Sequence, residues 1–425
     1  MSIRSVKDVV QSGLCIGCGV CDLVCPREAI SIVFDQSLGL YRPEVNEKCN
    51  ECGLCIEPCF GANTGIDSNT NLIETSLRSP LKSYIGFAKD GVIRYKSASG
   101  GVVTSILSYL LDNNEIDAAI VTDFNPRLCH SALPFLASNN NEIRRAMGSK
   151  YTPSLVGPTL KQLEEDKTYA FVGLPCHIYS LKVLQERKII PSSIKYFVSL
   201  FCGGTLSIHG TDYVLHRQSI DREDVTRIQY RGDGWPGLLK VQTSNKLIRR
   251  RYTDYWPEVA RWFYLNRCLI CIAGFGLKAD ISCGDFWIDE VVESDNSGTS
   301  VFDTYTIIGE SIIQKATERG YIHSSPITWQ SVKKSQRMMI ESKHMKLGTR
   351  LTIMELMRKN HPYKRTDIIH KASMSSNDIL EVLFMKIGRY LARVPRLWFL
   401  LRMYSVVLDT FFNMTQRIRE FATKR

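Results

Sequence analysis

Eight cysteines stand within residues 15–59, in two runs of matching internal spacing. The first is Cys15, Cys18, Cys21 and Cys25, followed by Pro26. The second is Cys49, Cys52, Cys55 and Cys59, followed by Phe60. Each reads C-x2-C-x2-C-x3-C. A tight C-x2-C-x2-C turn points three thiolates at one [4Fe–4S] cube, and the fourth cysteine reaches the other cube. The spacing thus assigns Cys15, Cys18, Cys21 and Cys59 to one cluster, and Cys49, Cys52, Cys55 and Cys25 to a second. Gly17, Gly19 and Gly53 suit a backbone wrapped closely around a cofactor. Zinc is the competing ligand, since C-x2-C pairs also bind it. Zinc sites rarely need eight cysteines at two matching spacings. Disulfides are disfavoured because no secretion signal precedes the runs.

Cys176, Cys202, Cys268 and Cys271 would make a third four-thiolate site. Cys176 follows the apolar run Tyr169–Val172 through Gly173, Leu174 and Pro175; Cys202 directly follows Tyr196–Phe201. Both lie past the carboxyl end of a predicted strand, where ligands gather in open α/β sheets. Cys268 and Cys271 form a C-x2-C pair. The alternative is that Cys176 and Cys202 are small buried hydrophobes. Cys129 and Cys283 are left unassigned. Ser99, Gly100 and Gly101 open an apolar helical pattern at Val102, Val103, Ile106, Leu107, Leu110 and Leu111. Such a turn offers free N–H groups and a positive dipole end to a phosphate or a flavin ring edge. An ordinary N-cap is the other reading.

The elements that must position these residues follow from periodicity. The 425 residues, 44% apolar and 23% charged, exclude a disordered chain or a small disulfide scaffold. The runs Ala118–Thr122, Tyr169–Val172, Tyr196–Phe201 and Tyr305–Ile308 alternate with helical patterns, the rhythm of an α/β domain with a parallel or mixed sheet. Ala29–Phe34 reads as a strand. Tyr84–Lys89 and Val92–Lys96 flank Asp90-Gly91 and read as a hairpin. The expected fold is thus an α+β / α/β multidomain chain. Residues 1–65 form a small ferredoxin-like domain, 66–80 a linker, 81–330 an α/β flavin-binding core with a mixed sheet, and 331–425 a basic helical region.

Residues 1–65 resemble a bacterial-type two-cluster ferredoxin. Residues 80–325 resemble the beta subunit of coenzyme F420 hydrogenase/dehydrogenase, where F420 names a deazaflavin. The resemblance rests on Ser99–Thr104, Gly148–Tyr151, Gly173–Cys176, Leu200–Gly203, Arg267–Cys271 and Ala279–Asp285, in that order along the chain. It implies FAD beside a [4Fe–4S] cluster held by Cys176, Cys202, Cys268 and Cys271. It also implies that the flavin rests near Ser99, Gly100, Gly101 and Thr104, with Lys150, Tyr151 and Asp285 close by. His177 departs from the family, many members of which carry an amide side chain there. The family includes proteins of bacteria that make no deazaflavin, some linked to polysaccharide synthesis.

The charge is uneven. Residues 341–425 hold 17 Lys and Arg against 7 Asp and Glu, so this segment carries nearly all of the net +11. Ile379, Leu383, Ile387, Tyr390, Leu391 and Val394 recur at helical spacing, flanked by Lys386, Arg389, Arg393 and Arg396. Pro395 should break that helix. A second pattern, Leu397, Leu401, Tyr404, Leu408, Phe411 and Ile418, follows it. Three readings stay open: an amphipathic pair on an anionic membrane, docking to an acidic partner, or a helical subdomain folded onto the core. Nucleic acid is disfavoured, since no binding motif accompanies the charge. No apolar run is long enough to span a bilayer. The expected location is cytoplasmic, with peripheral contact to the inner face of the membrane admitted.

The expected function is an iron–sulfur flavoprotein oxidoreductase. It would pass electrons between the cysteine-bound clusters and FAD to reduce or oxidise a small organic or lipid-linked substrate, polysaccharide synthesis being one setting. Its electron partner would be a donor or acceptor protein or a deazaflavin. The alternatives are a coenzyme F420 dehydrogenase and a non-catalytic electron-transfer subunit. No catalytic residue is assigned; His177, His209 and Tyr151 are candidate proton donors.

Overall fold

A computed structural model describes residues 3–66, 71–125, 128–363 and 376–408. The first sixty residues carry one antiparallel hairpin, β1 (Ile30–Asp35) with β2 (Leu40–Val45), between the two cysteine runs. An eight-stranded mixed sheet follows. It is built from β3 (Lys82–Ala88), β4 (Ala118–Asn125), β5 (Leu128–Ala137), β6 (Tyr169–Gly173) and β7 (Ile194–Leu200). A small antiparallel sheet of β8 (Val225–Gln229), β9 (Leu238–Thr243) and β10 (Leu247–Arg251) interrupts it. The large sheet is completed by β11 (Ile281–Asp285), β12 (Ser300–Thr304) and β13 (Ile322–Ile327). Its order is β13-β3-β12-β11-β7-β6-β4-β5. The central strands β11, β7, β6 and β4 run parallel, and antiparallel neighbours flank them.

Side chains on a strand alternate between faces, and both faces here are buried. Ile120, Phe171 and Phe197 point to one face and share a core with Ile178, Leu181 and Leu184 of the helix Pro175–Glu186. Ala119, Ala170 and Val198 point to the other and pack on Ile106 and Leu110 of the helix Val102–Asp112. Two-sided burial explains why these strands read as continuous apolar runs. The first of these cores also takes in Ile16, Cys18, Val20, Leu40 and Phe60. The cysteine-rich segment therefore packs directly on the sheet.

Four expectations are corrected. Asp90 does not turn a hairpin: its carboxylate accepts from Val92 N (2.8 Å) and Ile93 N (3.1 Å) and caps the helix Gly91–Lys96. Capping wins because Asp90 offers two orphan N–H groups an acceptor. The run Tyr305–Ile308 is not a strand; β12 ends at Thr304, and Thr306 caps the helix Ile307–Glu318. Within the stretch read as a linker, Asn71 caps a short helix, Leu72–Ser76.

The fourth correction concerns the basic tail. Of its expected apolar face, Leu383, Ile387 and Tyr390 are exposed. The inward residues are Phe384, Met385, Leu391 and Ala392, packed on the core of Tyr213, Val259 and Trp262. Gly388 permits this approach: a Cβ there would stand 2.1 Å from a Trp262 ring carbon. Arg389, expected on the flank, is buried and donates to Asn266 Oδ1 (2.9 Å) and to Tyr264 O. Pro395 does end the helix Ser376–Ala392 in a short turn, after which residues 398–408 form a second helix. Trp398, Leu401 and Leu408 return to the same core. Phe411 and Ile418 lie outside the described residues.

Candidate iron–sulfur and redox-cofactor sites

The cysteines gather into three sets. Cys25, Cys49, Cys52 and Cys55 line one cavity together with Pro26 and Gly53. Cys15, Cys18, Cys21 and Cys59 act electrostatically on one another. Cys55 acts on Cys21 and Cys59, so the two sets are neighbours. Burial first, then the adjacent thiols, pushes Cys21 well above the ordinary thiol range and Cys59 up to about 12. Four buried thiols that resist ionisation this strongly call for a cationic centre to take up their charge.

Backbone contacts fix these loops to the α/β core. Val156 N and Gly157 N both donate to Cys18 O, at 2.9 and 3.0 Å. Gly157 is required there, because a Cβ would lie 2.5 Å from Gly19 O. Ser180 Oγ donates to Pro58 O at 2.7 Å, beside Cys59. Asn63 Nδ2 donates to the carbonyls of Ile56, Glu57 and Cys59, so that the second run closes on itself.

The third set is the most enclosed. Cys176, Cys202, Cys268 and Cys271 line one cavity with His177, Arg267 and Lys343. Cys176 heads the helix after β6, and Cys202 follows β7, so two adjacent parallel strands deliver them. Cys268 and Cys271 arrive on the loop after the helix Tyr252–Phe263. Burial drives Cys176 well above the thiol range and Cys202 up to about 12. Burial also acts on Cys271, but Lys343 and Arg267 outweigh it and bring this thiol below the usual range. Arg267 is wholly buried; Nε and Nη2 donate to Phe60 O (3.1 Å) and Asn63 O (2.7 Å), while Nη1 has no partner among the described residues. A buried donor left over at the cavity of four thiols fits an anionic cluster. Among the described residues no His, Cys, Asp or Glu group closes tightly enough to hold a single metal ion. The thiols instead surround spaces, as a cube requires. The described cysteines form no disulfide.

The seven residues expected near a flavin lie in one neighbourhood. Ser300 links two of them: its Oγ donates to Ser99 Oγ (3.1 Å), it accepts from Gly100 N (3.0 Å), and it pairs with Asp285 across the β11–β12 ladder. Gly101 adopts φ +78° as the cap of the helix that carries Thr104. Asp285 forms a two-pronged pair with buried Arg231, at 2.8 Å on each oxygen, and accepts from Trp235 Nε1. Gly148 packs against Arg231 O. Lys150 turns its ammonium onto the carbonyls of Ala146, Met147 and Gly148, and burial brings it down to about 8. Tyr151 packs on Trp256, ring centroids 4.0 Å apart. The charges of Lys150 and Asp285 are thus already held by the protein, and the backbone turn at Ser99–Gly101 is what the neighbourhood offers a planar or phosphate-bearing group. Of the candidate proton donors, burial holds His177 down at about 4, in its neutral form, whereas His209 sits near Asp212 and Ser37 O.

Sequence reasoning gave no role to Arg231, Arg267 or Lys343. Arg267 directly precedes the C-x2-C pair, and its place there was the available signal. Lys343 lies in the tail, and nothing in its surroundings connects it with the cysteines.

Residues 83–161 match the N-terminal part, and residues 166–330 the C-terminal part, of the family described as coenzyme F420 hydrogenase/dehydrogenase, beta subunit. The chain belongs to this family. Ahead of the family core, residues 9–31 match a 4Fe-4S binding domain, so this member is an iron–sulfur redox protein. It is 27% identical over 297 residues to coenzyme F420-dependent sulfite reductase of Methanocaldococcus jannaschii. That match covers 66% of this chain but only 43% of the relative, so the chain spans less than half its length. It is also 27% identical over 335 residues to the F-type subunit of the F(420)H(2) dehydrogenase of Methanosarcina mazei, covering 76% of this chain and 87% of that one. The fold matches a chain of the F420-reducing [NiFe] hydrogenase complex from Methanosarcina barkeri with TM-score 0.50 at 20% identity. This match covers 66% of the present chain and 93% of the other.

Proposed function

We propose that this protein is an electron-transfer oxidoreductase subunit in which three cysteine sets hold [4Fe–4S] clusters and the Ser99–Asp285 neighbourhood holds FAD. The carrying observation is the continuity of the sets: Cys55 acts on Cys21 and Cys59, and Cys18 acts on Cys176. Cys15, Cys18, Cys21 and Cys59 would hold one cluster, Cys25, Cys49, Cys52 and Cys55 the second, and Cys176, Cys202, Cys268 and Cys271 the third. When bound, such clusters supply single-electron transfer and a flavin supplies the exchange between one- and two-electron chemistry. The protein's own part is to bury the thiols, exclude water and supply the fixed charges of Arg267 and Lys343. The convergence of Ser99, Gly100, Gly101, Thr104, Lys150, Tyr151 and Asp285 around Ser300 and Arg231 supports the flavin assignment.

The deazaflavin alternative now leads the substrate reading. The named relatives are F420-linked, whereas no observation speaks for a polysaccharide setting. Anaerobic purification with iron, sulfide and flavin quantified per chain tests the cofactors. About twelve iron and one FAD are expected, four iron per cluster. About eight iron without flavin would remove both the third cluster and the flavin. Addition of reduced deazaflavin should bleach the visible absorbance of the holoprotein; an unchanged spectrum would remove deazaflavin as the substrate.

A specific surface favours an additional contact with an anionic membrane. On the 398–408 helix, Phe399, Met403, Val406 and Val407 are all exposed while Trp398, Leu401 and Leu408 are buried, so both faces are apolar. Leu383, Ile387 and Tyr390 continue the exposed patch on the preceding helix, with exposed Arg393, Arg396 and Arg402 nearby. Apolar residues edged by arginine suit an acidic lipid surface. No described helix is long and apolar enough to cross a bilayer. The holoprotein should sediment with vesicles containing phosphatidylglycerol, and Val406→Ser with Phe399→Ser should abolish this. Equal binding by the double variant would sink the contact.

A further inference from the structure

Three successive carbonyls of the C-x2-C loop each accept a hydrogen bond from a side chain beyond the family-matched region. Arg350 Nη1 donates to Leu269 O at 2.7 Å. Tyr363 Oη donates to Ile270 O. Lys343 Nζ donates to Cys271 O at 3.3 Å. The family match ends at residue 330, so these donors come from the segment that the sequence left without a task.

The segment is built to deliver them. Residues Glu341–Met345 form a π-helical turn, a rare geometry found often at functional positions. His344 Nε2 meets Ser76 Oγ at 2.9 Å on the other side of this turn. Arg350 Nη1 also donates to Ser342 O (2.8 Å), which binds the turn to the helix Leu347–Leu356. Gly274 leaves room for the lysine stem, since a Cβ there would lie 3.2 Å from Lys343 Cδ. Lys343 is 2% exposed and Tyr363 is 5% exposed.

The charge is the second observation. The ionisable groups acting most strongly on Lys343 are the thiols of Cys271, Cys202 and Cys268 and the Tyr363 phenol. A buried ammonium is costly unless an opposite charge faces it. Here the facing groups become anionic only as metal-bound thiolates.

We propose that Lys343, Arg350 and Tyr363 are positioning residues for the third cluster. Arg350 and Tyr363 fix the loop between Cys268 and Cys271, and Lys343 balances the negative charge of the site and favours its reduced form. This rests on the reading of Cys176, Cys202, Cys268 and Cys271 as a [4Fe–4S] site.

The test compares full-length holoprotein with Lys343→Met, Lys343→Arg and Tyr363→Phe. It uses redox titration followed by electron paramagnetic resonance, and the rate of iron release to a chelator. Lys343→Met should disfavour reduction of the third cluster by about tenfold, a downward shift of about 59 mV for one electron. Lys343→Arg should restore most of it, and the other clusters should not move. Tyr363→Phe removes one oxygen and no charge. It should leave the potential in place and speed release of the third cluster's iron severalfold. An unshifted potential in Lys343→Met overturns the charge role. Unchanged iron release in Tyr363→Phe overturns the loop role. If Lys343→Met does not fold, Lys343→Gln and Tyr363→Phe carry the same comparison. A native protein whose iron content and spectrum are the same as those of Cys176→Ser would instead show that the third cluster itself is absent.

Discussion

Cys18 and Cys176 act on each other electrostatically although one belongs to the N-terminal run and the other heads the helix after β6. Ile16 and Phe60 line the cavity that holds Cys176. The first and third cysteine sets are therefore neighbours across a shared wall. Substituting Cys176→Ser should lower the iron content by about four per chain. It should also perturb the resonance spectrum of the remaining clusters, because a coupled neighbour has gone. A spectrum equal to the native one minus an independent component would show that the sets are isolated.

The close backbone approach at Gly157 gives a second prediction. With a Cβ 2.5 Å from Gly19 O, Gly157→Ala must push the first cysteine loop away from the core. The expected cost is about 1–3 kcal/mol, read as a lower midpoint in urea, accompanied by loss of iron from the N-terminal clusters before the third. Iron lost equally from all three would place the strain elsewhere.

Arg231 and Asp285 are a buried, two-pronged pair. Arg231→Met leaves the carboxylate without its partner, which typically costs about 3–5 kcal/mol. If the flavin lies against this pair, the variant should also purify with less FAD. The double variant Arg231→Met with Asp285→Leu should recover part of the stability but none of the flavin. Recovery of both would detach the pair from flavin binding.

Asp303 supplies a pH dependence. It is fully buried in β12, and burial raises it to about 7 against the smaller opposing effect of the Ser83 hydroxyl. The folded state holds this proton more tightly than the unfolded state does, so stability falls as pH rises from about 4 to about 7. Asp303→Asn should remove that slope and raise the melting temperature at pH 8. A native-like slope in the variant would show that other groups set it.

Much of the cofactor chemistry was legible because ligand spacing is a local property. The two N-terminal runs and the C-x2-C pair need only a turn, and the structure assembles each as its spacing implied. Cys176 and Cys202 were legible through the strands before them, since adjacent parallel strands bring their carboxyl ends together. What the sequence concealed depends on long-range packing. Asp90-Gly91 satisfies hairpin and helix-cap rules equally, and only the orphan N–H groups of the Gly91–Lys96 helix decide. The tail's apolar stripe has the right period but was assigned to the wrong side. The docking face is set by Gly388 against Trp262, a pairing of distant residues. Lys343 shows the same limit: a lysine in a basic tail looks solvated until the fold encloses it among thiols.

The walls of the N-terminal cysteine sites are made much later than the cysteines. Val156, Gly157, Ser180 and Arg267 all close on the segment that ends near Asn63. At about 5–20 residues per second, a ribosome needs roughly 10–40 s after Cys59 to reach Arg267. During that interval eight reactive thiols hang from the nascent chain without their protein cover. Cluster insertion must then either await the finished polypeptide or be shielded by a carrier. Slowing translation between residues 60 and 267 should therefore reduce the yield of metallated protein in air far more than under anaerobic growth.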